Sequence, residues 1–269
     1  MQLHLGGHTA VIVGGARGIG LAIAREFARE SCPVALVDHA GEVAEVAGRI
    51  AAEGKTTARG YQVDVADDAA VRRAAERIRA DFGRVDHLVF AVGIGSGKFG
   101  FPFWNLRPSD WPRVLQVNVL GAVNSLHAFV PYLMETKDAT VLMIASVAGQ
   151  IGSQTDPPYS ASKAALINFA QCAARDLAPY NVRVNTLCPG MVQTALNRAV
   201  WQAWHDQQPL DQRLSYEDWT ADKIRRVVPL NRWQEPEDMA AMAVFLASPR
   251  ARNICGQTLN VDGGFVMHW

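Results

Sequence analysis

The feature that most constrains this 269-residue chain is an alternation of periods: short apolar, β-branched runs recur between longer stretches whose apolar residues repeat every three to four positions. The short runs are Thr9–Val13, Val34–Asp38, Gly60–Val65, His87–Val92, Thr140–Ser146, Val182–Leu187 and Gln257–Val261. The longer ones are Gly18–Glu30, Glu42–Glu53, Asp67–Phe82, Ser109–Met134, Pro157–Ala178 and Pro236–Leu246. Strands that alternate with helices predict parallel pairing, because each crossover carries a helix back over a face of the sheet. Val34-Ala35-Leu36-Val37 and Val141-Leu142-Met143-Ile144 are apolar at every position, as strands covered on both faces must be. The expectation is an α/β chain with one doubly wound parallel sheet of about seven strands and helices on both faces. Nothing in the sequence reads as a linker, so 1–269 is taken as a single domain. Residues 191–228 carry no clear period, and an excursion of that length in a compact domain is usually functional or mobile.

Charge and cysteine usage narrow the function. Lys plus Arg and Asp plus Glu stand at 26 each, so no net field draws the chain to phosphate backbones or anionic lipid. No nucleic acid and no membrane partner are expected. Cys32, Cys172, Cys188 and Cys255 form no CxxC and no zinc-ligand spacing, which argues against a disulfide framework or metal site and fits a reduced, cytoplasmic setting. The N-terminal stretch has no basic start and no long apolar run, so neither secretion nor membrane insertion is expected.

After the first strand comes Gly14-Gly15-Ala16-Arg17-Gly18-Ile19-Gly20, and then the helix pattern begins. Glycines at 14, 18 and 20 let the backbone turn sharply and approach a pyrophosphate at a helix N-terminus, where free N–H groups point outward. A glycine cluster can also serve only to pack a helix on a strand. The context favours the phosphate reading: the second strand ends at Asp38, 18 positions past Gly20, where a carboxylate can accept hydrogen bonds from an adenosine ribose. That carboxylate would repel a 2′-phosphate, so NAD is expected over NADP, with Arg17 and His39 as groups that could offset the repulsion. Asp64 and Val65, at the end of the third strand, could hold the adenine edge, although an aspartate there is also an ordinary helix-start signal.

The segment Asp156-Pro157-Pro158-Tyr159-Ser160-Ala161-Ser162-Lys163 reads as a helix start, with Asp156 as cap and prolines in the first turn. Spacing of four puts Tyr159 and Lys163 on one helix face. A nearby ammonium favours phenolate and is expected to lower the Tyr159 pKa from about 10 towards the working range. With five tyrosines and five lysines, the pair alone would arise by accident in roughly one such sequence in ten.

Taken together, these pieces resemble the short-chain dehydrogenase/reductase family, in order and over nearly the whole chain. The family's glycine turn is Val13 followed by Gly14, Gly18 and Gly20; its Tyr-x-x-x-Lys is Tyr159 and Lys163; its serine falls on Ser146, 13 positions before the tyrosine; its helix asparagine maps to Asn118. Pro189-Gly190, Thr194 and the ending Gly256-Gln257-Thr258-Leu259-Asn260-Val261-Asp262-Gly263-Gly264 are also similar. The resemblance implies a Rossmann fold and a catalytic set of Asn118, Ser146, Tyr159 and Lys163. It implies cofactor contacts at Gly14, Arg17, Gly18, Ile19, Gly20 and Asp38, then at Asp64, Val65 and Gly93. Further contacts follow at Tyr159 and Lys163 themselves, and at Pro189, Gly190, Val192 and Thr194. Two departures stand out: Val13 replaces a threonine, and Phe90-Ala91-Val92-Gly93 replaces Asn-Asn-Ala-Gly, losing polar groups that tie the central strands together in the family.

The implied activity is NAD(H)-dependent interconversion of a secondary alcohol and a ketone, with Tyr159 as general acid/base, Lys163 tuning it, Ser146 holding the substrate oxygen and Asn118 extending a proton relay from Lys163 to solvent. Two alternatives are an NAD-binding sensor or scaffold without turnover and reduction of a 3-oxoacyl thioester with NADPH. Aromatics at Trp201, Trp204, His205, Tyr216 and Trp219, and at Phe99, Phe101, Phe103 and Trp104, could close a partly apolar pocket over a small-molecule alcohol or ketone, or could simply pack. The family usually forms tetramers or dimers through the helices represented here by Ser109–Met134 and Pro157–Ala178, so a homo-oligomer is implied.

Overall fold

A computed structural model describes residues 2–54, 56–152 and 156–268. Seven strands, β1 (Ala10–Val13), β2 (Val34–Asp38), β3 (Ala58–Gln62), β4 (His87–Phe90), β5 (Thr140–Ile144), β6 (Arg183–Pro189) and β7 (Thr258–Val261), form one sheet in the order β3-β2-β1-β4-β5-β6-β7. Every neighbouring pair is parallel. The chain reverses its direction of winding between β1 and β4, and in open α/β sheets ligands bind outside the carboxyl ends of the strands at that point.

Strand periodicity divides the interior in two. Val11 and Val13 of β1, Leu88 and Phe90 of β4, and Val141 and Met143 of β5 face the layer built by α3 (Asp68–Phe82), α5 (Gly121–Met134) and α6 (Pro157–Leu177). Ala10, Ile12, Val89, Leu142 and Ile144 face the opposite layer of α1 (Gly18–Arg29), α2 (Val43–Gly54) and α9 (Pro236–Ala247). Each buried Val, Leu or Ile side chain contributes about 1.5–3 kcal/mol, so the all-apolar central strands draw stabilisation from both layers. The fold is the doubly wound Rossmann type expected from the sequence.

Phe90 shows how the sheet manages without the family's usual asparagine. It is fully buried, pairs in register with Val13 on one side and Met143 on the other, and sits over Gly121. Packing takes the place of the polar tie, and the register of the central strands is continuous.

Several strand ends shift by one or two residues, β4 stopping at Phe90, β5 at Ile144 and β6 at Pro189, and three stretches differ more from expectation. β3 ends at Gln62, not Val65, because its last partner is Asp38 at the end of β2; Val63 donates to the Asp38 carbonyl and the chain then leaves the sheet. Asp64 and Val65 therefore follow the strand instead of closing it. The stretch expected as one helix from Ser109 to Met134 is a 3-10 turn, a short α4 (Pro112–Leu115), a π-helical segment Gln116–Leu120, and then α5. By length and composition Pro108–Met134 is apolar enough to cross a bilayer, but half of that window is buried inside the fold, with α5 packed on α3 and β4. The excursion at 191–228 is not structureless: it holds α7 (Ala195–His205), capped by Thr194, and α8 (Tyr216–Val227), capped by Ser215.

At the amino ends of the strands lies a buried polar cluster. Asp86 accepts the Thr9 N–H at 2.8 Å and two bonds from Arg84. His87 sits 3.1 Å from His8 and 2.8 Å from the Thr140 hydroxyl, and stacks on Phe27. Burial, with the neighbouring His8 adding to it, drops the His87 pKa to about 3. The unfolded chain then binds a proton that the native state refuses between about pH 6.5 and pH 3, so stability falls as the pH is lowered through that window. Urea midpoints across it should show His87→Gln losing less stability on acidification than the parent, by up to about 1.4 kcal/mol per pH unit; parallel curves would assign the acid sensitivity elsewhere.

Candidate active site

The strands' carboxyl ends open on a cavity of about 600 Å³ that runs from the end of β2, at Asp38, across the switch point to Phe265 beyond β7. One half is built for an extended anionic ligand. No side chain caps α1, whose first turn also holds no acidic residue, so the leading N–H groups of that helix are left for a ligand. A Cβ on Gly20 would lie 2.0 Å from the Gly14 carbonyl oxygen, and one on Gly14 would strike the Ala91 backbone. Only glycine lets helix, turn and neighbouring strand close up this far. Gly14, Arg17, Gly18 and Ile19 line the cavity; Gly20 supports the turn from behind.

Asp38 is buried at the same end. Its carboxylate accepts the Ala16 N–H at 3.0 Å and the Ala40 N–H at 3.1 Å, with His39 Nδ1 3.2 Å away. The two backbone bonds hold the carboxylate facing the cavity with lone pairs remaining. Arg17 and His39 line the same end. Val63 and Val65 also line it, whereas Asp64 does not: its carboxylate accepts the Ala66 N–H and lies 3.5 Å from Arg113. An adenine in this half would meet valines, not the Asp64 side chain. The glycine cradle, the uncapped helix and the buried acid fit a nicotinamide dinucleotide.

The reactive residues meet at the centre. Ser146 follows β5, and its hydroxyl accepts the Ala148 N–H at 3.1 Å while hydrogen-bonding the Tyr159 phenol. Lys163, one turn along α6, places its ammonium 5.6 Å from the Tyr159 ring centre and donates to the Ile144 carbonyl at 2.9 Å and the Val92 carbonyl at 3.2 Å. Gly93 brings the loop after β4 against this pair, since a Cβ there would sit 3.0 Å from Lys163 Nζ. Pro189, Gly190, Val192 and Thr194 line the wall beyond β6.

The expected lowering of the phenol is not what this site does. Burial pushes the Tyr159 phenol up to about 12, and the Asp156 carboxylate adds to the rise, against the bond from Ser146 that favours phenolate. The lysine is itself desolvated, its pKa drawn down to about 8, and its protons are committed to two carbonyls. Burial acts on both partners and outweighs their mutual effect.

Asn118 lies in the π-helical segment and is fully buried. Its Oδ1 accepts the Ile94 N–H at 2.9 Å and its Nδ2 donates to the Ile94 carbonyl and to Ser162 Oγ, both at 2.9 Å; Ser162 donates to the Tyr159 carbonyl. The asparagine thus clamps the loop carrying Gly93 to the helix carrying Tyr159, and among the described residues no hydrogen bond joins it to Lys163. A π-turn admits one extra residue and often marks a functional position, here by aiming a buried amide at a loop.

Two groups of aromatics do not line the cavity. Phe101, Phe103 and Trp104 are exposed on the loop after β4, while Trp201 packs on His205 and Tyr216, and Trp204 on Trp219. Among the cavity residues that sequence reasoning missed are Asp156 and Lys223. Asp156, read only as a helix cap, makes no side-chain cap bond: its Oδ2 accepts the Ser96 N–H at 2.8 Å, its Oδ1 is buried without a partner, and burial raises its pKa. Lys223 reaches the cavity from α8.

The arrangement fits the class of nicotinamide-dinucleotide oxidoreductases. The family described as Enoyl-(Acyl carrier protein) reductase matches residues 14–266. A D-threitol dehydrogenase from Mycolicibacterium smegmatis is 31% identical over 266 residues, covering 99% of this chain and 95% of that protein. The crystal structure of L-sorbose reductase from Gluconobacter frateurii with NADPH and L-sorbose superposes with a TM-score of 0.90 at 28% identity, covering 100% of both chains. That of NAD+-bound xylitol dehydrogenase gives 0.89 at 28% identity, covering 97% of this chain and 100% of the other. The chain belongs to the short-chain dehydrogenase/reductase family, whose chemistry is oxidoreduction at CH–OH with NAD or NADP.

Asn118→Ala should leave the Ile94 N–H and carbonyl without their partner and cost about 1–3 kcal/mol in chemical denaturation, with turnover falling further than stability because the Gly93 loop loses its clamp. Unchanged stability and turnover would remove the positioning role.

Proposed function

We propose that the protein is an NAD(H)-dependent dehydrogenase that interconverts a secondary alcohol of a small polyol and the corresponding ketone. The observation that carries this reading is the convergence of Ser146, Tyr159 and Lys163 on the same cavity that Asp38 closes at its other end. The relatives named for threitol, sorbose and xylitol support a hydroxyl-rich substrate.

The nicotinamide, when bound, supplies the hydride acceptor for oxidation and the donor for reduction. Ser146 Oγ and Tyr159 Oη bracket the position of the substrate oxygen. In oxidation the Tyr159 phenolate takes the hydroxyl proton as the C–H bond gives up its hydride, leaving the ketone; in reduction the phenol returns that proton to the carbonyl oxygen. With its pKa held high by burial, the phenol is protonated at neutral pH and ready as an acid. Lys163 holds the ends of two strands at the floor of the site and supplies positive potential beneath the ring. The apolar wall of Ile94, Val147, Leu196 and Val200 keeps water from the reacting atoms.

Asp38 favours NAD, since a 2′-phosphate would meet a buried carboxylate. The complex of the sorbose reductase with NADPH and that of the xylitol dehydrogenase with NAD+ span both choices within this fold.

Tyr159→Phe should lower kcat on a polyol panel by about 100-fold or more while the NADH dissociation constant, read by fluorescence, stays within a few-fold. Retained turnover would exclude Tyr159 as the acid/base. Asp38→Ala should shift the ratio of kcat/KM for NAD over NADP towards NADP by about 10-fold, the scale of one lost charge interaction at a partly buried site; an unmoved ratio would take cofactor choice away from Asp38.

A further inference from the structure

The cavity holds a cation, Lys223, that the chemistry above does not use. Lys223 lies on α8 and lines the same pocket as Ser146 and Tyr159, with Phe265 and Leu196. Its ammonium stands 4.6 Å over the ring of Trp219, one helical turn back, and among the described residues it has no hydrogen bond and no carboxylate partner. Of the other cations of the cavity, Lys163 is committed to two carbonyls and Arg113 to Asp64 and Gln116, while Arg17 belongs to the glycine turn of the dinucleotide half. The acids nearest in sequence are committed too, Asp222 to Arg225 and Arg226, and Asp218 to the Ser215 cap.

An ammonium partly withdrawn from water and resting on an aromatic face is incompletely compensated. Burial draws the Lys223 pKa down to about 8, which still leaves it mostly charged at neutral pH. The pocket presents a positive charge at Lys223 and a carboxylate at Asp156, with no ion pair between them.

We propose that Lys223 is the anchor for a carboxylate on the substrate, so that the dehydrogenase prefers a hydroxy acid of the aldonate type, its carboxylate on Lys223 and its reacting secondary alcohol at Ser146 and Tyr159. This rests on the reading of the site as a polyol-type dehydrogenase and names the substrate class within it. The carboxylate exchanges water for a desolvated ammonium on a rigid indole platform, while a neutral polyol leaves the cation unpaired. Discrimination therefore arises as much from the unmet charge with the wrong substrate as from the pair with the right one.

The test compares matched pairs, threitol with threonate and xylitol with xylonate, in kcat/KM with NAD. The acid should be preferred, and Lys223→Met should reduce the acid-to-polyol ratio by about 30-fold or more, chiefly through KM, with Lys223→Arg recovering most of it. The NAD dissociation constant should be the same in all three proteins. No preference for the acid, or the same ratio in Lys223→Met, would overturn the proposal. A weakened NAD affinity in step with the lost ratio would overturn it as well, by giving the cation to the cofactor's phosphates. Turnover of neither member of any pair would refute the dehydrogenase reading on these substrates. The anchor is then judged by calorimetric titration of threonate into the enzyme–NADH complex: binding that Lys223→Met abolishes upholds it, and no binding to the parent overturns it.

Discussion

The site depends on how one buried ammonium spends its protons. Lys163 donates to the carbonyls of Ile144 and Val92, one closing β5 and the other just beyond the end of β4, where the ladder no longer consumes carbonyl oxygens. A strand end inside a protein must find donors for such groups or forfeit the free energy of their hydration. By meeting that need, the lysine ties α6 to the two central strands and fixes Tyr159, one turn earlier, over the crevice. The same burial that makes these bonds strong strips water from the phenol, which accounts for a tyrosine that holds its proton more tightly than a free one. Structural cohesion and acid/base function share one desolvated environment.

Much of the architecture was legible because it is written in periods. β2, apolar at each position and ending on an acid, could be read with its boundaries; so could the glycine turn, whose consequence is steric and local. Ser146, Tyr159 and Lys163 were legible as a set because spacing and order repeat a family pattern. The third strand was misread at its end because Val63 and Val65 are apolar for another reason: they line the crevice, and residues facing a ligand and residues facing a core look alike in a one-dimensional string. The π-turn at Gln116–Leu120 was beyond reach, since nothing in Gln116-Val117-Asn118-Val119-Leu120 announces an inserted residue until Ile94 is seen opposite.

The sign of the tyrosine's perturbation was missed for a physical reason. Sequence spacing reports that an ammonium stands nearby, and proximity of opposite charge favours phenolate. It does not report how much water both groups have lost, a property of the folded cavity alone. Asp156 and Lys223 were overlooked for a related reason: each sits where a helix-forming segment would place such a residue anyway, and only the cavity shows which of them faces inward.

The segment carrying α7 and α8 joins the rest of the molecule through few ties: a single bridge between Val192 and Gln234 and a small satellite core of Met191, Ile224 and Val228. Apart from Val192 it adds little to either main core, yet it supplies one wall of the crevice. The fold therefore separates two kinds of inheritance. The sheet, the glycine turn and α6 are mutually constrained and resist drift, while the outlying pair of helices can be rewritten residue by residue at little cost to folding. A lineage built on such a division can change its diet without relearning its chemistry.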